Sequence, residues 1–221
     1  MPPATPLSRD RILDCAVRLA DLKGLEAASL RAIATDLGVH VTSLYNYLPT
    51  KDALLDGIVE QLFARADLPV GELPWEQWVR RFVAAVAELA RTHPGAFAVL
   101  LRRPVQGPGA TATFECGLAA FRRAGMDVSD SYGAVKCVAL GVLGVCVEQA
   151  YAASGSEDLQ TDMSRLTWQD FPELHLTVSA AGEVDVVAML ADVLVAGLAR
   201  PHPPRAATPS PAPPTPSPRG R

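Results

Sequence analysis

The sequence has few aromatic residues, 6% of the chain, so any core it forms is mostly aliphatic. Its four cysteines, Cys15, Cys116, Cys137 and Cys146, are widely spaced. None forms a C-x-x-C pair, which removes the support for a zinc ribbon or a thioredoxin-type redox site. No long hydrophobic run occurs. The strongest spans 137–147, only 11 residues between Lys136 and Glu148, where a membrane helix needs about 20. Residues 1–10 hold three prolines and no apolar stretch, so no secretory signal is read there. A positive excess is absent too: 20 Lys and Arg stand against 24 Asp and Glu, a net charge of −4. That balance excludes a protein that holds nucleic acid by bulk positive charge, and leaves room for a local surface that does. Nor does any G-x-S-x-G elbow, H-E-x-x-H pair or phosphate-cradling glycine loop appear, so no enzyme class is indicated. The expectation is a soluble, reduced, cytoplasmic protein without metal or cofactor.

What is present is helical periodicity. Hydrophobic residues make up 49% of the chain, and they recur at helical rather than strand spacing in about nine or ten segments. The fold class is therefore all-α. Residues 1–7 read as a flexible N-terminus. A first helix over 8–23 has Ser8 as its cap and Gly24 as its stop. A second, 29–37, has Ser29 as cap, Leu30, Ile33, Ala34 and Leu37 facing inward, and Gly38 closing it. A short third helix covers 41–48 and ends at Pro49. A fourth runs from Thr50 to about residue 66, and 69–74 is a linker. Further helices are expected at 75–92, 95–102, 110–125, 129–154 and 183–198, with 155–182 holding a loop and a short helix. The helix around 137–147 is apolar nearly all round and contains Gly141 and Gly144. Such a helix belongs in a bundle centre or an interface. With the apolar helix after it, it suggests a homodimer surface, an interior helix of a monomer being the plainer reading. Residues 201–221 hold nine prolines and no acidic residue, and read as a disordered tail.

One constellation points to a chemistry. A capped helix, a glycine-centred turn at Leu37-Gly38-Val39 and a second short helix form a helix-turn-helix pattern over about 29–48, the arrangement that lays its second helix in a DNA major groove. Leu44 and Leu48 mark the inward face of that helix. Thr42 and Asn46 lie opposite, flanked by Ser43 and Tyr45. These hydroxyls, amide and phenol read base edges or bond phosphates. Not one charge occurs from Val39 to Thr50, where an ordinary surface helix would carry Glu and Lys. Thr42 is also a candidate cap for this helix. Asp10, Asp14 and Asp21 read as a solvated face of the first helix, and His93 before Pro94 as a helix-end residue bonding a carbonyl. A helical ligand-binding or interaction protein without DNA binding is the alternative from another class.

These residues carry a resemblance. The stretch SLRAIATDLGVHVTSLYNYLPTKDALLDGI, with the Ser29 cap, Ile33 and Ala34, Leu37-Gly38-Val39, Leu44-Tyr45, Tyr47, and Lys51 followed by Leu54-Leu55, resembles the TetR family of transcriptional regulators over about 8–66. Trp75-x-x-Trp78, His93-Pro94 and the bundle helix ending in Glu148 resemble, more weakly, the ligand domain of the tetracycline-repressor branch. The resemblance implies a three-helix DNA-binding head and, over 75–200, a helical bundle for ligand binding and dimerisation. It implies a homodimer on double-stranded DNA at a pseudo-palindromic operator, released by a small-molecule effector. Carried onto this chain, Thr42, Ser43, Tyr45 and Asn46 face the groove, Arg31 reaches a base or phosphate, and Tyr47 and Lys51 hold phosphates. Phe97, Phe114, Glu148 and Tyr151 are the candidates for an effector pocket. The chain departs from the family in having His40 where Ser or Thr is usual and no basic residue at Val41 or Asn46. The places that hold a magnesium–tetracycline chelate in that branch read Arg65-Ala66-Asp67 and Ala98-Val99-Leu100. Neither has a histidine, so that effector is not expected.

Overall fold

The computed structural model describes residues 6–105, 107–153, 169–173, 176 and 184–199. Most of 155–182 and all of the tail lie outside these residues. Among the described residues the regular elements are helical. The head comprises α1 (Arg9–Lys23), α2 (Leu30–Leu37), α3 (Val41–Tyr45) and α4 (Lys51–Arg65). Ser8, Ser29 and Thr50 cap α1, α2 and α4, each hydroxyl accepting from a backbone N–H three residues on. Each satisfies one of the donors a helix start leaves without a partner. Gly38, at φ 67° and ψ 33°, closes α2 in the left-handed conformation that glycine adopts without steric cost.

Two expectations for α3 are corrected. It ends at Tyr45, not at 48: the N–H groups of Tyr47 and Leu48 both return to the Leu44 carbonyl at 2.9 Å, and Pro49 forces its predecessor out of the helical region. Thr42 is not its cap. The helix starts at Val41 behind His40, which makes no side-chain capping bond, so Thr42 sits within the first turn.

The body holds α5 (Trp75–Thr92), α6 (Pro94–Phe97), α7 (Pro108–Arg123), α8 (Val128–Ala153) and α9 (Val186–Leu198). The helix expected at 95–102 divides into α6 and a 3₁₀ turn, Ala98–Leu101. The α8 helix packs on α5, α7 and α9. Counting apolar runs understated it: Val128–Gln149, with mean hydropathy 1.5, is long and apolar enough to cross a membrane by length and composition. One side of it packs on those three helices, while Tyr132 and Leu140 on it stay exposed. One apolar core runs from α1 to α9, with Trp78, Phe97 and Phe121 its largest fully buried side chains.

Head and body meet where α1 crosses α6. Asp21 Oδ1 accepts the Ala96 N–H at 2.9 Å, and Oδ2 lies 2.7 Å from His93 Nδ1. His93 therefore bonds a carboxylate, not the carbonyl expected of it. Neither Asp21 nor Asp14 is merely solvated: Asp14 accepts from Gln61 Nε2 at 2.6 Å and pairs with Arg65. An acidic stripe on α1 thus fastens that helix to α4 and α6.

Candidate functional site

The short helix α3 and the turn after it are placed by two leucines. Leu44 and Leu48 are buried, which turns the opposite face outward. Thr42, Tyr45 and Asn46 are exposed on it, and Ser43 is half-buried at its edge. None of these four side chains makes a hydrogen bond among the described residues. An unengaged row of hydroxyl, phenol and amide groups on a helix without charge has the donor and acceptor set needed to read base edges.

Two cations share a recess with Tyr45. Arg31 is exposed at the start of α2, and Lys51 opens α4. With Tyr45 and Thr50 they border a recess of about 490 Å³ whose only acidic lining residue, among the described residues, is Glu26. Lys51 Nζ stands 3.5 Å from Glu26 Oε2. The recess also brings in Arg102, which pairs with Glu26 and which sequence reasoning missed. Its hydrogen bond to Glu26, then its charge and that of Lys51, hold the Glu26 carboxyl below its usual range. Tyr47 is exposed as well, and its hydroxyl donates to the Leu7 carbonyl at 3.0 Å. That bond holds the start of the chain beside α3.

A second feature lies in the body. An apolar cavity of about 490 Å³ is framed by α4, α5, α7, α8 and the segment after α6, within the size range of small-molecule pockets. Phe114 lines it, set edge-on to Phe82 with ring centroids 6.1 Å apart. The other candidates are not brought together with it. Phe97 is fully buried in the core at α6, away from the lining. Glu148 is exposed and outside the lining, because α8 turns that position away from the bundle. The Tyr151 side chain lies outside the described residues. The residues missed are Phe63, Tyr132, Lys136 and Arg103. Arg103 is forked onto Asp56, Nε to Oδ1 at 2.7 Å and Nη2 to Oδ2 at 2.9 Å, with Asp52 at 3.3 Å from Nη1. The cavity wall is thereby joined to α4. A larger groove of about 770 Å³ lies outside α5 and is bordered by exposed Arg65, Arg81, Glu88 and Thr92; its charged walls suit solvent better than an apolar ligand.

The third feature is a stripe of exposed apolar residues on α9. Val186, Met189 and Val193, at helical spacing, are 41%, 55% and 62% exposed. On α8, Leu140 is exposed to a similar degree.

Comparison with known proteins gives these features a setting. Residues 12–58 match the family model described as bacterial regulatory proteins, tetR family. An HTH-type transcriptional regulator of Saccharopolyspora erythraea is 33% identical over 181 residues, 80% of this chain and 77% of the relative. The HTH-type transcriptional repressor DrrR1 of Streptomyces coeruleorubidus is 29% identical over 86% of this chain and 71% of its own length. Among solved structures, the TetR family protein ActR of Streptomyces coelicolor, in complex with actinorhodin, superposes with a TM-score of 0.70 over 89% of this chain and all of that one, at 22% identity.

Proposed function

Since the chain belongs to the TetR family of bacterial transcriptional regulators, we propose that it is a homodimeric repressor whose hold on a pseudo-palindromic operator is released by a small-molecule effector. It acts in the bacterial cytoplasm. The observation that carries the DNA-binding part is the outward face of α3, where Thr42, Ser43, Tyr45 and Asn46 stand unengaged and Tyr45 shares a recess with the cations Arg31 and Lys51. Residues 1–51 hold six Lys and Arg against five Asp and Glu, so affinity rests on placed contacts and on dimerisation rather than on a basic field. The effector enters the apolar cavity between α4 and α8, with Phe114 in its wall. Its influence reaches the heads through Arg103 with Asp56, and through Asp21 with His93 and Ala96. The stripe on α9, with α8 beside it, is the surface the two protomers share. The decisive experiment is an electrophoretic shift on DNA upstream of the protein's own gene. Absence of a shift at low salt with every promoter-proximal fragment would end the repressor reading.

Two substitutions separate base reading from phosphate holding. Asn can bond adenine through two hydrogen bonds, and such a contact is worth about 1–3 kcal/mol of discrimination. Asn46→Ala is therefore expected to weaken operator binding by about that amount and to relax one base position. Equal loss on operator and random DNA in competition titrations would refute the role. Lys51→Ala should instead weaken both DNAs alike and reduce the slope of affinity against salt by about 0.9 per protomer. An unchanged slope would remove Lys51 from the phosphate contacts. Because Glu26 holds Lys51 in the free protein, that contact requires exchanging a carboxylate for a phosphate.

A further inference from the structure

The cavity between α4 and α8 is electrostatically one-sided. Among the described residues its lining carries two cations, Arg103 and Lys136, and no carboxylate. Arg103 is already engaged, forked onto Asp56 and close to Asp52. Both of those carboxylates belong to α4 and stand outside the lining. Lys136 differs: it has no ion pair or hydrogen bond among the described residues. Lys136 is exposed, so its ammonium stands at the mouth of the apolar space, where it favours an anion and opposes a cation. The remaining wall is apolar and rich in rings, with Phe63, Phe82, Phe114 and Tyr132. Rings of this kind take flat, hydrophobic molecules by burial and by stacked or edge-on contact.

Resting on the reading of this cavity as the effector site, we propose that its ligand is a flat, apolar, ring-bearing molecule with one acidic group, and that Lys136 is the residue that receives that group. A carboxylate, a sulfonate and an acidic phenolate share the required chemistry. Arg103 is the second cation the acid meets. An acid that engages Arg103 competes with Asp52 and Asp56, which lie one and five positions after Lys51 on α4. Arg103, the second of the two cations, is then also the residue that joins the cavity to α4, the helix that opens on Lys51.

The test uses two dyes with one skeleton. 8-Anilino-1-naphthalenesulfonate and N-phenyl-1-naphthylamine differ by a sulfonate, and both brighten in apolar surroundings. Each is titrated into the full-length protein by fluorescence. The wild type is expected to bind the sulfonate at least about tenfold more tightly than the neutral amine, as a charge-assisted contact implies. Lys136→Met should remove that preference while leaving the amine's affinity and the operator shift unchanged. Equal binding of both dyes to the wild type overturns the proposal. So does a Lys136→Met variant that weakens both dyes alike or keeps the preference. Ala139→Trp, which fills the cavity from α8, separates the two levels. Provided that variant still shifts operator DNA, loss of both dyes places them in the cavity. Retention of both means they bind elsewhere and overturns the cavity reading itself, a different failure from unselective binding within it.

Discussion

Val193→Asp is expected to yield a folded monomer that holds the operator no better than random DNA. Val193 stands on the exposed stripe of α9 and is neither the buried α9 core residue, Ala191, nor one of those packed against the core, Val187, Leu190, Leu194, Val195 and Leu198. A charge there leaves the protomer's own packing untouched. In a two-fold dimer the same patch meets itself, so a single substitution introduces two carboxylates into one contact. Each would have to leave water without a cation opposite, at an effective cost of several kcal/mol per ion. The neighbouring Arg80–Asp192 pair, 2.6 Å apart, remains available to hold α9 on α5. Separated heads lose the advantage of binding two half-sites at once. Specific complexes reach about 10⁻⁸–10⁻¹¹ M, while unspecific contact is about 10⁻⁴–10⁻⁶ M at physiological salt. A loss of at least about 100-fold in operator affinity follows from that gap. Light scattering after size exclusion gives the mass, and a shift titration gives the affinity. A variant that stays dimeric at the same concentration would take α9 out of the interface.

The head was legible because its signals are local. Ser8, Ser29 and Thr50 cap helices within three residues of themselves, and Gly38 supplies the left-handed stop where a side chain would be strained. The outward face of α3 followed from two leucines four residues apart. What was not legible depends on contacts distant in sequence. Asp21 and His93 are 72 positions apart, and Arg102 and Glu26 are 76. Periodicity tells which side of α1 is apolar, but not what another helix will bring to its polar edge, so Asp14 and Asp21 read as solvated. The cavity was only partly legible for the same reason. Phe97 and Phe114 look alike in sequence as rings within apolar stretches. One is swallowed by the core where α6 meets α1, and the other is left at a gap between helices. Lys136 and Arg103 gave no sign, because a lone lysine on an apolar helix and a pair of arginines after a short turn are ordinary surface features until the opposite wall is known.

Gly95→Ala is expected to cost about 3 kcal/mol of stability, the upper end of what overpacking does in a close-packed core. A Cβ at position 95 would lie 2.0 Å from the Ala20 carbonyl oxygen, 2.6 Å from its carbon and 2.7 Å from the Asp21 Cα. All three are backbone atoms of α1, so no rotamer relieves the overlap and the two helices have to part. Parting them lengthens the contacts beside the clash, Asp21 to the Ala96 N–H at 2.9 Å and to His93 at 2.7 Å. At about 2–4 °C per kcal/mol for a chain of this size, the midpoint of thermal unfolding should fall by about 6–12 °C. Gly57→Ala is the informative contrast. Its Cβ would meet Leu13 Cδ2 at 2.5 Å, also closer than packed cores allow, yet with the free end of a side chain that can turn aside. A drop of about 1 kcal/mol is expected there. Equal losses in the two variants would mean that α1 and α6 slide as easily as a leucine rotates. A larger loss at Gly95 would mean that the crossing is rigid. A rigid crossing moves α1 whenever α6 moves, because backbone in contact with backbone cannot absorb a displacement.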